Sequence, residues 1–290
     1  MERVESLARL PERPVEGHKG LFGRVLVLGG QEQMVGAPVL AGTAALRAGA
    51  GLVQIAVPRA ILAACLSITP ELIGLGLGKS VKDLLDAADA ADALVIGPGL
   101  GQSPEARQRM TRLIRLPKPA VIDADGLNLL ARQSRWPAKT FACHAVLTPH
   151  PGEMKRLARL IGKGDVPSDE AGRIDLARAA ANAFGQVVVL KGHRTVVTDG
   201  SRVYVNDTGD SSLSKAGTGD VLSGILGTLL AQQMERFEAA CAAVWIHGKA
   251  GELCGSRLGR RSALAMDVIH ALADAIAAYD ARSDATTAAR

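Results

Sequence analysis

The segment 214–224 reads Ser-Lys-Ala-Gly-Thr-Gly-Asp-Val-Leu-Ser-Gly and joins a glycine-rich turn to the start of a long apolar helix. Gly217 and Gly219 let bare backbone N–H groups around Thr218 approach an anion, and the helix start adds about half a positive charge. Gly217, Thr218 and Gly219 thus form a candidate phosphate or oxyanion hole. Asp220 falls in the first helical turn, where that positive potential is expected to keep a carboxylate ionised and able to take a proton from a substrate hydroxyl. The same position suits a plain helix cap. The lack of another candidate base beside so many glycines favours chemistry.

Such a turn needs a scaffold. Short apolar, β-branched runs at 25–28, 52–57, 93–96, 120–122, 145–147 and 187–190 read as strands covered on both faces. Between them, 37–47, 81–90, 104–114, 151–161 and 169–184 have helical spacing, and the alternation predicts a mostly parallel α/β sheet with helices on both faces. After 186, the runs 187–191, 195–198 and 202–205 follow one another across glycine turns and predict a short antiparallel edge. Helices are then expected at 219–233, 237–258 and 264–279. No Pro/Ser linker divides the chain, so 1–290 reads as one domain with frayed ends at about 1–12 and 282–290.

Open parallel sheets bind ligands at the carboxyl ends of their strands. Here those ends run into Gly29-Gly30, Gly97-Pro98-Gly99-Leu100-Gly101, Asp123-Ala124-Asp125-Gly126 and Thr148-Pro149-His150-Pro151-Gly152-Glu153. Glycine at one strand-to-helix turn is usually geometry, but four such ends converge on one rim. Of six histidines, His150 alone stands at a strand end; the others, His247 included, show no ligand spacing and read as surface or core residues.

Composition narrows the field. The 290 residues carry net charge +5, are 48% hydrophobic and include only 8 aromatics in dispersed basic surroundings, which argues against nucleic-acid binding. Charge-free stretches such as 221–234 are too short and polar to span a bilayer, and 1–14 holds three glutamates and no apolar h-region, so a cytoplasmic location is expected. Four cysteines, Cys65, Cys143, Cys241 and Cys254, lie scattered among apolar residues without a C-x-x-C pair and read as reduced core thiols. Gly78-Lys79-Ser80 ends like a phosphate-binding P-loop, but its first glycine would fall at Ile73; Gly97–Gly101 lacks the third glycine of a dinucleotide fingerprint.

Gly217-Thr218-Gly219-Asp220 opening a late helix resembles the ribokinase-like superfamily, whose fold is a three-layer sandwich. Lys19-Gly20, Phe22-Gly23-Arg24-Val25, Gly36-Ala37-Pro38, Gly97–Gly101, Asp123–Asp125, Leu147–Glu153, Leu190-Lys191-Gly192 with Thr195, and Ala216–Asp220, in that order over nearly the whole chain, resemble ADP-dependent NAD(P)H-hydrate dehydratases. The resemblance implies a carbon–oxygen lyase of nicotinamide-nucleotide repair. It returns NADHX and NADPHX to NADH and NADPH with ADP as co-substrate, releasing AMP and phosphate. Ala37, Gly99, His150 and Asp220 would line the hydrate site, with Asp220 the catalytic base. Lys191, Gly192, His193, Arg194, Thr195 and Gly219 would line the ADP site, and Asp123 and Asn128 are second-tier candidates. Magnesium would be carried by the nucleotide phosphates without dedicated protein ligands. The resemblance also implies a homo-oligomer, most often a tetramer, for which an alanine-rich helix such as 237–258 offers a face, and an NAD(P)HX epimerase partner on a separate chain.

The sequence departs from the family in a more polar 210–216 and in Ala216, where many members have glycine. His193 and Arg194 suit a diphosphate but equally a solvated turn. Two other readings share the motifs: a ribokinase-like kinase of a small alcohol or vitamin precursor, which keeps the phosphate on its product, and a catalytically silent nucleotide-binding module.

Overall fold

The computed structural model describes residues 2–132 and 141–288. They form one sheet of ten strands: β1 (Glu2–Arg3), β2 (Arg24–Leu28), β3 (Leu52–Pro58), β4 (Ile73–Leu77), β5 (Ala93–Ile96), β6 (Pro119–Ile122), β7 (His144–Leu147), β8 (Val187–Leu190), β9 (Val196–Thr198) and β10 (Arg202–Val205). The spatial order is β1-β10-β9-β8-β7-β6-β5-β2-β3-β4, and β9 alone runs antiparallel to its neighbours. The expected parallel sheet with an antiparallel edge is what forms. From β2 the chain winds outward through β3 and β4, then restarts at β5 and winds the other way, so the sheet has its switch point between the ends of β2 and β5.

Alternation along each strand sends side chains to two separate cores. Val25, Val27, Val95 and Val121 face α1 (Gly36–Arg47), α2 (Leu62–Ile68), α8 (Thr218–Ala231), α9 (Arg236–Leu258), α10 (Ala265–His270) and α11 (Leu272–Ala288). Leu26, Leu28, Leu94, Ile96 and Ile122 face α3 (Lys82–Asp89), α4 (Pro104–Leu113), α5 (Asp125–Ala131), α6 (Pro151–Leu160) and α7 (Glu170–Phe184). The result is a three-layer sandwich. Local signals set the helix ends: Ser103 caps α4 ahead of Pro104, Asp169 caps α7, and Gly185 ends α7 in the left-handed region.

Helix α8 is buried almost throughout, wedged between the sheet and α1 and α9. Small residues permit this. A Cβ on Gly224 would run into the carbonyl oxygen of Ala41 on α1. Thr228 reinforces the contact by donating to the Ala45 carbonyl at 2.9 Å.

Some expectations need correction. The segment expected to fray at the N-terminus is tied down: Glu2 and Arg3 pair with β10, and the Tyr279 hydroxyl donates to the Ala8 carbonyl at 2.7 Å. Of the far end, 282–288 continue α11 and the last two residues lie outside those described. The helix expected at 264–279 is two helices, parted at Ala271. The alanine-rich face of 237–258 is turned inward, with Ala239, Ala240, Ala242 and Ala243 in the core, and so is not a free subunit face. Helices α2 and α5 were not expected, and β4 lay hidden because alternating glycines in Ile73–Leu77 resemble a loop; Gly74 is small because Leu62 of α2 packs over it.

We expect Gly224→Val to force α8 off α1 and destabilise the protein by about 1–3 kcal/mol, read as a fall in the midpoint of urea unfolding.

Candidate active site

The carboxyl ends of β5, β6, β7 and β8 lie along one edge of the sheet, and a cavity at the start of α8 is bordered by His150 after β7, by residues 191–195 after β8 and by Thr218 and Gly219. Gly217 sits at φ +91 before the first turn, with no side chain capping the helix. A Cβ there would clash with Leu40 of α1, 2.7 Å away. Thr218 instead turns its hydroxyl back to the carbonyls of Leu213 and Lys215, at 2.7 and 2.9 Å, and fixes the turn that carries the expected anion hole. On one side lie Ala37 and Gly99, brought together so closely that a Gly99 Cβ would stand 3.0 Å from that of Ala37. On the other lie Lys191 and Asp123, both within 4 Å of where a Gly219 Cβ would be.

Asp123, expected only as a second-tier residue, is the hub. Its carboxylate is 1% exposed and is held from three sides. Oδ1 accepts from Lys191 Nζ at 2.7 Å and from the Ala124 N–H at 2.8 Å, and Oδ2 accepts from Ser223 Oγ at 2.7 Å. Ser223 stands three residues beyond Asp220 on α8 and was missed in the sequence, where a serine inside an apolar helix gives no sign of a partner on a distant strand. Burial would lower the Lys191 pKa, but Asp123, Glu153 and Asp220 outweigh it and raise it. Lys191 stays charged.

Asp220 corrects an expectation. The helix start was to keep it ionised, yet its pKa is pushed up to about 8, first by burial and then by Asp123, with Glu153 and Asp125 adding and Lys191 opposing. Four carboxylates share one lysine, so the local potential does not stay positive. At neutral pH Asp220 is largely protonated until a cation or a substrate changes its surroundings.

The other expected residues fall as follows. His150 caps α6: its Nδ1 accepts from the Gly152 N–H at 3.0 Å, its Nε2 lies 3.2 Å from Glu153 Oε1, and Glu153 Oε2 accepts from the His150 N–H at 2.8 Å. Both ring nitrogens are engaged, while the ring borders the cavity beside Lys191. Glu153, quoted in the sequence motif without a role, is buried and holds this cap. Asn128 lies further back, with Nδ2 at 3.5 Å from Asp125 Oδ1 and Oδ1 accepting from Arg156 at 3.1 Å; Asp125 in turn accepts from the Gly101 N–H at 2.8 Å.

Residues 191–195 form the turn between β8 and β9, and all five border the cavity of about 530 Å³. An unforeseen residue shapes it: Arg173 of α7 donates to the carbonyls of Leu190, Lys191, His193 and Arg194. Thr195 Oγ1 donates to the Gly192 carbonyl at 2.9 Å. Arg194 itself pairs with Glu170 at 2.6 Å, and Glu170 also takes Arg3 at 3.3 Å. Opposite the turn are Leu213, Leu222 and Val244, an apolar wall. A chamber with an uncapped helix start, a fixed lysine and an apolar wall suits a molecule that is anionic at one end and flat and apolar at the other.

Removing the Ser223 hydroxyl leaves one Asp123 oxygen without its donor. Ser223→Ala is expected to cost about 1–3 kcal/mol in urea unfolding, more than an ordinary surface serine.

Comparison with known proteins agrees with this architecture. A family model described as NAD(P)H-hydrate dehydratase matches residues 25–274. The bifunctional NAD(P)H-hydrate repair enzyme Nnr of Moorella thermoacetica is 40% identical over 274 residues, covering 90% of this chain and 51% of its own. The ADP-dependent (S)-NAD(P)H-hydrate dehydratase of Neisseria meningitidis serogroup B is 38% identical over 271 residues, covering 89% of this chain and 87% of its own. The chain spans about half the length of the bifunctional relatives it matches. Among solved structures, the ADP/ATP-dependent NAD(P)H-hydrate dehydratase from Bacillus subtilis co-crystallised with ATP/Mg2+ superposes with TM-score 0.78 at 31% identity, covering 92% of this chain and 93% of that one. Ribokinase-like proteins share the fold at identities down to 10%. With a matching family model over most of its length, the chain belongs to the NAD(P)H-hydrate dehydratase family.

Proposed function

We propose that this chain dehydrates (S)-NADHX and (S)-NADPHX to NADH and NADPH at the expense of ADP. The observation that carries the reading is the uncapped start of α8, with Asp220 in its first turn and the Asp123-held Lys191 beside Gly219. The family match and the ADP-dependent dehydratase of Neisseria support it.

ADP lies along the 191–195 turn with its diphosphate toward Lys191 and the N–H groups of Gly217, Thr218 and Gly219. His193 and Arg194 border the same space, and Arg194 reaches phosphate by leaving Glu170. The hydrate ring faces Ala37, Gly99 and His150. Mg2+ enters as the Mg–ADP complex, because phosphate oxygens supply the hard ligands it prefers. The deprotonated form of Asp220 takes the proton of the C6 hydroxyl. The freed oxygen attacks the β-phosphorus of ADP and AMP departs; Lys191 and the helix N–H groups bear the charge that builds on the transferring group. The ring nitrogen lone pair then expels phosphate from C6, and loss of a proton from C5 leaves the dihydronicotinamide. Asp123 and Ser223 hold Lys191 in place and touch neither substrate.

The remaining parts of the reading rest on the family resemblance. The enzyme works in the cytoplasm, as a homotetramer, paired with an NAD(P)HX epimerase that supplies the S epimer. No helix among the described residues is long and apolar enough to cross a membrane.

NADPH absorbance should appear when chemically prepared NADPHX is given with ADP and Mg2+, with AMP and phosphate in equal amounts; none without nucleotide. A phosphorylated small alcohol with no NADPH would move the chain to the kinases. Asp220→Asn should lower kcat/KM by about 10²–10⁴ and leave ADP binding nearly unchanged. In the wild type, kcat/KM should climb about tenfold per pH unit on the acid side and level near pH 8, where Asp220 has lost its proton. Stability follows the same group with a definite sign. Because the folded pKa lies far above the ordinary 3.8, the folded state binds the extra proton, and Asp220 costs stability increasingly as pH rises from about 4 to 8. Asp220→Asn should therefore melt higher than the wild type at pH 8 and no higher below pH 4.

A further inference from the structure

Arg173 stands near the start of α7, half-buried, and does not line the cavity, whereas every residue of the 191–195 turn does. Its Nη1 donates to the His193 carbonyl at 2.5 Å and to that of Arg194 at 3.4 Å, and its Nη2 to those of Leu190 at 3.2 Å and Lys191 at 3.4 Å. The carbonyl between them, that of Gly192, accepts instead from Thr195 Oγ1. The turn needs such a hold. Gly192 lies at φ +143, and Arg194, which carries a side chain, lies at φ +53, where few residues with a Cβ settle. A Cβ on Gly192 would stand 3.0 Å from Arg173 Nη2, so the glycine is what lets the guanidinium come this close.

In a trans peptide the C=O and the following N–H point in opposite directions. The Lys191 and His193 carbonyls, drawn to a side chain outside the cavity, therefore turn the N–H groups of Gly192 and Arg194 the other way. No described residue accepts either of these two N–H groups, while that of Lys191 is taken by the Pro149 carbonyl at 2.9 Å. Unpaired N–H groups in a turn of left-handed residues make a concave site for an anion. We propose that Arg173 is a positioning residue for nucleotide binding: it draws the carbonyls of the turn away from the cavity and presents the N–H groups of Gly192 and Arg194 to phosphate oxygens of the nucleotide. A carbonyl left facing the cavity would repel the same oxygens. The inference rests on the nucleotide reading above, and Arg173 itself touches neither substrate.

Calorimetric titration of the whole chain with ADP and Mg2+, beside steady-state turnover of NADPHX, tests it on the wild type, Arg173→Met and Arg173→Lys. Arg173→Met keeps the stem and loses every donor; its Kd for ADP should rise about 10- to 100-fold. Its kcat at saturating ADP and its KM for NADPHX should move by less than about twofold, because only nucleotide binding has been weakened. Arg173→Lys, with one nitrogen in place of the fork, should lose about 3- to 10-fold in ADP affinity, and it carries the comparison alone should the Met variant fail to fold. Wild-type ADP affinity in the folded variants overturns the inference. So does a loss in kcat or in the KM for NADPHX as large as the loss in ADP affinity, which would make Arg173 a general tie between α7 and the sheet. A wild type that binds no ADP overturns the nucleotide reading itself.

Discussion

The site depends on the requirement that the buried Asp123 carboxylate be satisfied. An ionised group 1% exposed is tolerated only with close partners, and here they come from three separate elements: Lys191 at the end of β8, Ser223 inside α8, and the Ala124 N–H at the start of α5. One carboxylate therefore fixes Lys191 relative to the start of α8. The glycines make this geometry reachable, and Asp123 makes it singular. Because Ser223 lies on the same helix as Asp220, the carboxylate that locates Lys191 also sets the rotation of that helix.

Crowding has a second consequence. Asp123, Asp125, Glu153 and Asp220 lie close enough to act on one another, with Lys191 the charge that opposes them. In such a field the helix start does not dominate, and Asp220 holds its proton to about pH 8. The Glu153–His150 cap contributes at a distance, holding a buried acid next to Lys191 by closing the first turn of α6.

Much of this was legible in the sequence. Parallel strands show as short, unalternating apolar runs because both of their faces are buried, and six of them appear where expected. The four strand ends converge as their glycines, aspartates and histidine suggested, and Gly217–Asp220 opens a buried helix as its spacing required. Hidden were the contacts between residues distant in sequence. Ser223 is one polar residue in an apolar helix and Arg173 one charge on α7; each gains meaning only when α8 is packed against the end of β6 and α7 against the turn after β8. The Asp220 error has the same origin, since the helix start is local to the sequence and the three opposing carboxylates are not. Likewise, Glu2 and Arg3 looked free because their partner strand, β10, lies some two hundred residues away.

The central claim is that the substrate hydroxyl oxygen is transferred to phosphorus before it leaves the ring. It is tested most directly by NADPHX carrying ¹⁸O in the C6 hydroxyl, turned over with unlabelled ADP and Mg2+ in ordinary water, with the isotope traced by mass spectrometry of the inorganic phosphate. The account predicts one ¹⁸O per phosphate released and AMP in equal amount. Label found in water, with phosphate unlabelled, would contradict it and reduce ADP to a bystander in a direct dehydration.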